Sequence, residues 1–376
     1  MKRVPHEDRQ TTQLRQVPRR KDAGDTALVQ SSDAVRAAFT DPDQFWSSPL
    51  YRHLSGVVAG DPYLIGLAAH TRDGQVPTFA FFGAVHALLL AGVEHPLADY
   101  YPSLRGDGVR PLASAGPALL SFARRYEYAI VDIVSTRLVQ TNQVGRAVGL
   151  RLALAAIAPS ADSRPAHLLE VGSSAGLLLR HARYRYRLGG RQFGDRASPV
   201  QLVTEWRSAQ PPPDLDAIPV IASTCGVDLH PLDPSVDADR RWLEALIWPE
   251  DRDKAALLHD ALALAASVPV NVVAGDAEHV CPAWSARIPA GETRVVFHCA
   301  TRMHVPVDRR ASFDRAIDGI AHDGPLYRIA IEGDGIQIAE PGEAAIRRFE
   351  VDGHLASVGR PNAGRRLAQP RDRRSP

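Results

Sequence analysis

The sequence predicts an α/β protein in which an all-helical domain precedes a doubly wound, mainly parallel sheet. Residues 31–160 carry apolar side chains at helical spacing, and Pro62 and Pro77 each stand where a helix is expected to begin. From Ala166 onward, short runs rich in valine, isoleucine and leucine alternate with helical stretches, a pattern typical of parallel strands joined by crossover helices. We therefore expect a helical domain at 31–160 and an α/β domain at 161–355.

The α/β domain is expected to contain five main strands. The strand segments are 167–171, 220–222 leading into 227–229, 270–274, 294–298 and 326–332. The helix segments are 175–181, 239–248, 254–266 and 309–321. The irregular stretch 184–219 predicts a hairpin inserted before the second strand, and 336–339 with 346–351 predicts a final hairpin.

Composition places the chain among ordinary globular proteins, since 45% of its 376 residues are hydrophobic and 23% are charged. Cys225, Cys281 and Cys299 are too widely spaced for a Cys-x-x-Cys metal motif and do not form a paired disulfide framework. We therefore expect a reducing, cytoplasmic location and no metal site. No apolar run of signal-peptide length precedes Ala34, and the best apolar stretch, Phe79 to Gly92, is too short to span a bilayer, so we expect no membrane association.

Basic residues crowd both ends of the chain, although the formal net charge is only +1. Residues 1–30 and 356–376 lack a periodic apolar pattern and are expected to form disordered arms. Such arms attract nucleic acid or anionic lipid in some proteins, but solvated tails of an arginine-rich chain give the same pattern. We therefore expect no nucleic-acid partner.

Three acidic residues follow predicted strands, and the first of them precedes a glycine turn. Glu170 ends a short apolar run before Gly172 and Gly176, so a buried strand is expected to turn sharply there into a helix. Asp228 and Asp276 stand after the next two strands. Ligands of open α/β sheets bind at the carboxyl ends of strands, where an acid can accept hydrogen bonds from ribose hydroxyls or a base amine. The set predicts a nucleoside-bearing ligand, while the alternative role of each acid is to cap a helix.

Other polar residues are candidates for binding or catalysis. Gln140, Asn142 and Arg146 interrupt an apolar helical pair, so they either cross-link the helices or line a cleft that binds substrate. His298 ends the fourth strand and is the candidate acid or base, because the ordinary pKa of histidine lies near neutrality. The alternative for His298 is a buried structural histidine.

Four motifs resemble those of class I S-adenosylmethionine-dependent methyltransferases over roughly residues 165–335. They are Glu170-x-Gly172-x-Ser174-x-Gly176, Gly226-Val227-Asp228, Gly275-Asp276-Ala277 and Val295-Val296-Phe297-His298. The resemblance implies a Rossmann-like, methyltransferase-type sheet with S-adenosylmethionine as cofactor. Glu170 and the glycine turn would then contact the amino-acid end of the cofactor, Asp228 the ribose, and Asp276 with Ala277 the adenine. Glu205 competes with Asp228 for the ribose.

The chain is also similar, from about residue 35 to 355, to a bacterial family named domain of unknown function 2332. The segments that carry this similarity are 136–146, 168–178, 183–186, 193–195, 227–233, 242–249 and 296–298. The family name implies no chemistry, so the methyltransferase resemblance alone suggests a mechanism.

The leading hypothesis is a protein that binds S-adenosylmethionine and transfers its methyl group to a small-molecule acceptor. The first alternative is a non-catalytic descendant that binds a nucleoside ligand or a partner through the same cleft. The second is a serine hydrolase, because residues 172–176 match the Gly-x-Ser-x-Gly pattern of a nucleophile elbow. Ser174 would then be the nucleophile, with Asp276 and His298 or His304 as partners. The sequence leaves open whether the protein is an enzyme and what its oligomeric state is.

Overall fold

The computed structural model describes residues 30–140, 142–161, 164–206, 211–332, 335–341 and 346–350. The two predicted basic arms, 1–30 and 356–376, lie outside these residues apart from Gln30. Within the described part, a helical region is followed by a mainly parallel sheet, as the sequence predicts.

Short helices make up the N-terminal region. They are α1 (Ser32–Thr40), α2 (Pro49–Gly60), α3 (Pro62–Ala68), α4 (Pro77–Leu90), α5 (Pro102–Arg105), α6 (Ala115–Arg125) and α7 (Glu127–Thr136). Proline is the first residue of α2, α3 and α4. It is suited to this position because N–H groups in the first turn have no acceptor within the helix, so the N–H that proline lacks is not missed. Ser48 and Asp61 cap α2 and α3 through their side-chain oxygens. α4 is buried on most of its faces, and Phe81 and Phe82 pack edge-on against Phe39.

The strands divide between two sheets. In chain order they are β1 (Ala166–Val171), β2 (Arg185–Leu188), β3 (Arg191–Gly194), β4 (Gln201–Thr204), β5 (Ile221–Asp228), β6 (Asn271–Ala274), β7 (Thr293–Cys299), β8 (Leu326–Glu332), β9 (Gly335–Ala339) and β10 (Ile346–Glu350). Among the described residues the main sheet has seven strands in the order β10-β9-β8-β7-β1-β5-β6. The strands from β8 to β6 in this order are parallel, and β9 and β10 extend the sheet as an antiparallel hairpin. The predicted final hairpin is therefore confirmed.

The direction in which strands are added to the main sheet reverses beside β1. The chain adds β5 and β6 on one side of β1 and then crosses to add β7 and β8 on the other. In register, Val171 of β1 lies opposite Val227 of β5 and opposite His298 of β7. Such a reversal leaves a crevice at the carboxyl ends of the strands, and this is where open α/β sheets bind ligands.

The predicted insertion at 184–219 contains a small separate sheet. β2 and β3 form the predicted antiparallel hairpin, and β4 adds a third strand parallel to β2. Gly189 and Gly190 take positive φ values in the turn between β2 and β3, which is why glycine is suited to both positions.

Five α-helices accompany the main sheet within the described residues. They are α8 (Ala147–Ile157), α9 (Asp237–Ala245), α10 (Arg252–Ser267), α11 (Ala277–Ser285) and α12 (Arg310–Asp318). α8 packs in one apolar core with strand residues such as Leu168 and Val295, whereas α1 to α7 form a separate core. α11 is an addition to the predicted helices, since Pro282 inside it obscured its pattern.

The predicted helix at 175–181 is wrong. Turns occupy the stretch after β1, and a 3-10 helix follows at Leu178–Arg183. Ser174 and Gly176 have positive φ values, which an α-helix does not accommodate. The Arg180 guanidinium donates to the carbonyls of Ala175 and Gly176, at 3.1 and 2.9 Å, so these carbonyls have a partner without a helix.

Trp242, His86 and Glu250 are among the residues that join the helical region to the α/β region. The indole of Trp242 in α9 lies against Gly83 of α4 and donates a hydrogen bond of 2.8 Å to the Leu138 carbonyl. His86 hydrogen-bonds the Ala245 carbonyl at 3.0 Å. The Glu250 carboxylate accepts from the Ser48 hydroxyl at 2.6 Å and from the first turn of α2 at 2.8 Å. Glu250 therefore caps a helix of the other region.

We expect Glu250→Ala to lower the free energy of unfolding by about 2 kcal/mol, because the N-terminus of α2 loses charge-assisted acceptors. Asp107→Ala is the matched control, since it removes an exposed ion pair with Arg252, and it should change stability by less than about 0.5 kcal/mol. Urea unfolding of both variants measures the difference. Equal effects would contradict the capping role of Glu250.

Candidate functional site

A cleft of about 2230 Å³ opens at the carboxyl ends of β1, β5, β6 and β7. The helical region contributes one wall through residues such as Trp46 and Phe79, and the small sheet contributes another through Val203 and Trp206. The cleft therefore lies at the crevice that the strand order creates and is closed in by the two regions outside the main sheet.

Most of the residues singled out in the sequence lie on this cleft. Those that line it are Gln140, Asn142, Arg146, Glu170, Gly172, Ser174, Glu205, Asp228, Asp276, Ala277 and His304. Gly176 and His298 do not line it. The two candidates for the ribose acid occupy different elements, since Asp228 ends β5 of the main sheet and Glu205 follows β4 of the small sheet.

The glycine turn after β1 is pressed against the loop that follows β7. Gly172 has a φ of +77°, and a Cβ at this position would overlap the Thr301 side chain. The Thr301 hydroxyl donates to the Val171 carbonyl at 3.1 Å. Glycine is required at 172 both for its backbone conformation and for the space it leaves.

Two non-glycine residues of the described chain have positive φ, and both line the cleft. Ser174, with a φ of 50°, follows β1, and Ala300, with a φ of 49°, follows β7. β1 and β7 are neighbouring strands, and the direction of strand addition reverses beside β1. Residues held in this conformation cost about 1–3 kcal/mol and concentrate at functional sites.

Asp228 ties the glycine turn to the segment before α8. One carboxylate oxygen accepts from the Ser174 N–H at 2.7 Å. The other accepts from the His230 N–H at 2.8 Å and from the Gln140 side-chain amide at 3.0 Å. Gln140 therefore reaches from the helical region to the strand ends and contacts the candidate ribose acid directly.

Glu170 is almost completely buried, with 3% of its surface exposed, and its Oε2 has no hydrogen-bond partner among the described residues. Burial raises the pKa of this carboxyl well above its usual range, and the neighbouring Asp228 raises it further. Arg146 and Arg180 act on the same pKa in the opposite direction. Buried polar atoms are normally hydrogen-bonded, so the unpaired oxygen of a residue that lines the cleft needs an explanation.

Asp276 caps α11 and forms an ion pair. One oxygen accepts from the Glu278 N–H at 3.0 Å, and the other accepts from the Arg309 guanidinium at 3.0 Å. The bond from Glu278 lowers the pKa of Asp276, burial opposes this, and Arg309 lowers it further. Asp276 is therefore a charged acceptor on the cleft wall, and Arg309 is the group a ligand would meet beside it.

Glu332 at the end of β8 is a further organising residue, which the sequence reasoning missed. One of its oxygens accepts from His298 Nδ1 at 2.7 Å and from the backbone N–H groups of Thr301 and Arg302, both at 2.9 Å. Burial alone would raise the pKa of Glu332, but these hydrogen bonds lower it to about 2. The sequence does contain a signal for this role, because Glu332, like Glu170, stands near the end of a predicted strand.

The arrangement expected of Ser174 as a nucleophile has no matching hydrogen bonds among the described residues. The Ser174 hydroxyl is buried without a partner there. The His298 ring bonds Glu332 instead. Asp276 is bonded to Glu278 and Arg309.

The family model for an uncharacterized protein conserved in bacteria (DUF2332) matches residues 37–371. The chain belongs to this family. The similarity predicted from its sequence segments is confirmed, and the match spans the helical region and the sheet of this DUF2332 protein. No curated protein matches the chain. Over the part of the chain that the structure describes, no helix combines the length and apolar character needed to cross a membrane.

We expect Gly172→Ala to destabilise this DUF2332 protein by about 3 kcal/mol or more, because the new methyl group meets Thr301 in addition to the backbone strain. Gly92→Ala is the matched control, since Gly92 has a φ of +84° and nothing within 4 Å of the added Cβ. It should cost only the left-handed backbone penalty of about 1–2 kcal/mol. Chemical unfolding measures both, and similar losses would contradict the close approach at Gly172.

We expect Glu170→Gln to stabilise the protein at high pH. The unfolded carboxyl ionises near its ordinary pKa of about 4.3, whereas the folded carboxyl has a raised pKa, so wild-type stability falls as pH rises between these values. Glutamine has no proton to lose. Its gain over wild type should be about 1–2 kcal/mol at pH 8 and close to zero at pH 4.

Thermal unfolding at the two pH values measures this gain. The same substitution at the half-buried Glu278, whose pKa is lowered, is the control and should give no gain at pH 8. If the gain in stability of Glu170→Gln were the same at both pH values, ionisation of the Glu170 carboxyl would not be its cause.

Proposed function

We propose that this DUF2332 protein binds S-adenosylmethionine in the cleft and transfers its methyl group to a small-molecule acceptor. The observation that carries the proposal is that acids lie at the carboxyl ends of three adjacent strands of the main sheet, β1, β5 and β6, and line one cleft beside a glycine turn. That arrangement suits a ligand with ribose hydroxyls and a base amine, both of which donate hydrogen bonds.

The residues present fit such a ligand. Glu170 offers a buried oxygen without a partner among the described residues, beside a turn whose glycines allow close backbone approach. Asp228 lies where ribose hydroxyls can donate to it, sharing its oxygens with Ser174 and Gln140. Asp276 and Ala277 lie on the adenine side, where the base amine would share or replace the contact from Arg309.

The cleft also leaves room for an acceptor. Its volume of about 2230 Å³ exceeds the roughly 300–1000 Å³ that one small ligand fills. The cofactor supplies an activated methyl sulfonium. The chain itself then has to orient the acceptor and exclude water, and proximity accounts for much of the rate without a dedicated nucleophile. The wall formed by the helical region, with Trp46 and Phe79, is placed to do this.

Calorimetric titration with S-adenosylmethionine and S-adenosylhomocysteine tests the proposal. We expect micromolar binding that Asp276→Ala weakens at least about tenfold, because the adenine loses its acceptor. Asp61→Ala is the matched control, since Asp61 caps α3 in the same way and does not line the cleft. Both variants should lose about 1 kcal/mol of stability as capping is lost.

Absence of binding to the folded wild-type protein would overturn the proposal. Affinity retained by Asp276→Ala would contradict the position given to the adenine. Binding without methyl transfer to any acceptor in a broad screen would favour the non-catalytic alternative.

A further inference from the structure

A serine, a histidine and a glutamate meet at the edge of the main sheet opposite the cleft, where the parallel strands begin. His167 is the second residue of β1, Ser223 lies in the first half of β5, and Glu292 immediately precedes β7. The Ser223 hydroxyl and His167 Nδ1 are 2.7 Å apart, and His167 Nε2 and a Glu292 carboxylate oxygen are 2.5 Å apart. One imidazole therefore bridges a hydroxyl and a carboxylate.

These two hydrogen bonds decide which ring nitrogen carries the proton in the neutral imidazole. An ionised carboxylate only accepts hydrogen bonds, so His167 Nε2 carries the proton and donates to Glu292. Nδ1 then has a lone pair, to which the Ser223 hydroxyl donates. A hydroxyl, a base that can take its proton and an acid that orients the base are the parts of a serine nucleophile.

A β-bulge places Ser223 beside His167. The register between β1 and β5 shifts directly before His167, so that Ala222 is an extra residue in β5. Regular pairing would have placed Ser223 opposite Leu168, a residue of the apolar core. Bulges aim side chains away from the regular alternation of a strand and are frequent beside active sites.

The loop that carries Glu292 is held from two sides. Arg294, which is 1% exposed, donates to the carbonyls of Glu292 at 2.8 Å and of Ile288 at 3.0 Å. The Arg164 guanidinium donates to the Gly291 carbonyl at 2.9 Å. These bonds fix the backbone on both sides of Glu292, so its carboxylate keeps a defined position beside the imidazole.

The exposure of the three side chains suits a nucleophile that meets its substrate at the surface. Ser223 is exposed, whereas the His167 side chain behind it is only 12% exposed. We propose that Ser223, His167 and Glu292 form a reactive site, separate from the cleft, that attacks small carboxylic esters with good leaving groups. Because Ser223 does not line the cleft, this site is independent of the proposed function.

The reaction has two halves. In the first, Ser223 Oγ bonds to the ester carbonyl carbon and its proton passes to His167 Nδ1; the ester C–O bond then breaks, and the leaving alcohol takes that proton. In the second, His167 removes a proton from water, the resulting hydroxide attacks the acyl-serine, and the acid leaves as Ser223 regains its proton. Glu292 stabilises the imidazolium that forms in each half.

Labelling of the full-length chain with a fluorophosphonate tests the site, because a serine oxygen bonds to phosphorus, fluoride leaves and the serine proton passes to the base. We expect labelling at Ser223, located by mass spectrometry of peptides. His167→Gln should slow labelling at least about 100-fold, since glutamine cannot take up the proton. Glu292→Gln should slow it at least about tenfold, since the imidazolium loses its charged partner. Hydrolysis of p-nitrophenyl acetate should fall by similar factors.

Ser267→Ala is the matched control, because Ser267 is also exposed but its hydroxyl donates to the Leu264 carbonyl at 2.8 Å. It should be labelled at Ser223 at the wild-type rate, and thermal unfolding checks that each variant is folded. Absence of labelling at Ser223 in the folded wild type would overturn the proposal. An unchanged rate in folded His167→Gln would also overturn it, and labelling confined to Ser174 would place the nucleophile in the cleft instead.

Discussion

The site depends on the close approach of two loops, the one after β1 and the one after β7. Gly172 leaves no room for a side chain against Thr301, and Ser174 and Ala300 are held with positive φ on either side of the contact. Such backbone persists only where surrounding bonds fix it. Glu332 supplies several of those bonds, because one carboxylate oxygen accepts from His298 and from two backbone N–H groups of the second loop.

The cleft is shared between regions that form separate apolar cores. Gln140 reaches from the connection before α8 to Asp228, and Glu250 reaches from the α/β region to cap α2. Because these contacts cross the cleft or lie on its wall, a ligand held by the strand ends also meets the helical region. This gives a physical reason for the helical region to be part of the matched family sequence rather than a separate attachment.

The buried carboxyl of Glu170 lowers the stability of the protein but provides a group that a ligand can bind. The Glu170 carboxyl is almost completely buried, and burial raises its pKa. Its Oε2 has no hydrogen-bond partner among the described residues. Stability alone would favour a neutral or apolar side chain there. The cost is understandable if a ligand completes the hydrogen bonds. Glu332 and Asp276 accept hydrogen bonds from neighbouring protein groups, and the pKa values of their carboxyl groups are lowered instead.

The class of the fold can be predicted from the sequence, because the alternating strand and helix patterns from Ala166 onward are typical of parallel strands with crossovers. The sequence also predicts that Glu170, Asp228 and Asp276 lie near strand ends, since a local apolar run identifies each strand. The hydrogen-bond partners of these acids, in contrast, depend on how the chain folds. The side chains that bind Asp228, Asp276 and Glu332, which are Gln140, Arg309 and His298, come from segments far away in the chain, and no local pattern encodes such pairings. The same holds for the turn at Ser174, where contacts with Asp228 and Arg180 replaced the helix that local periodicity predicted.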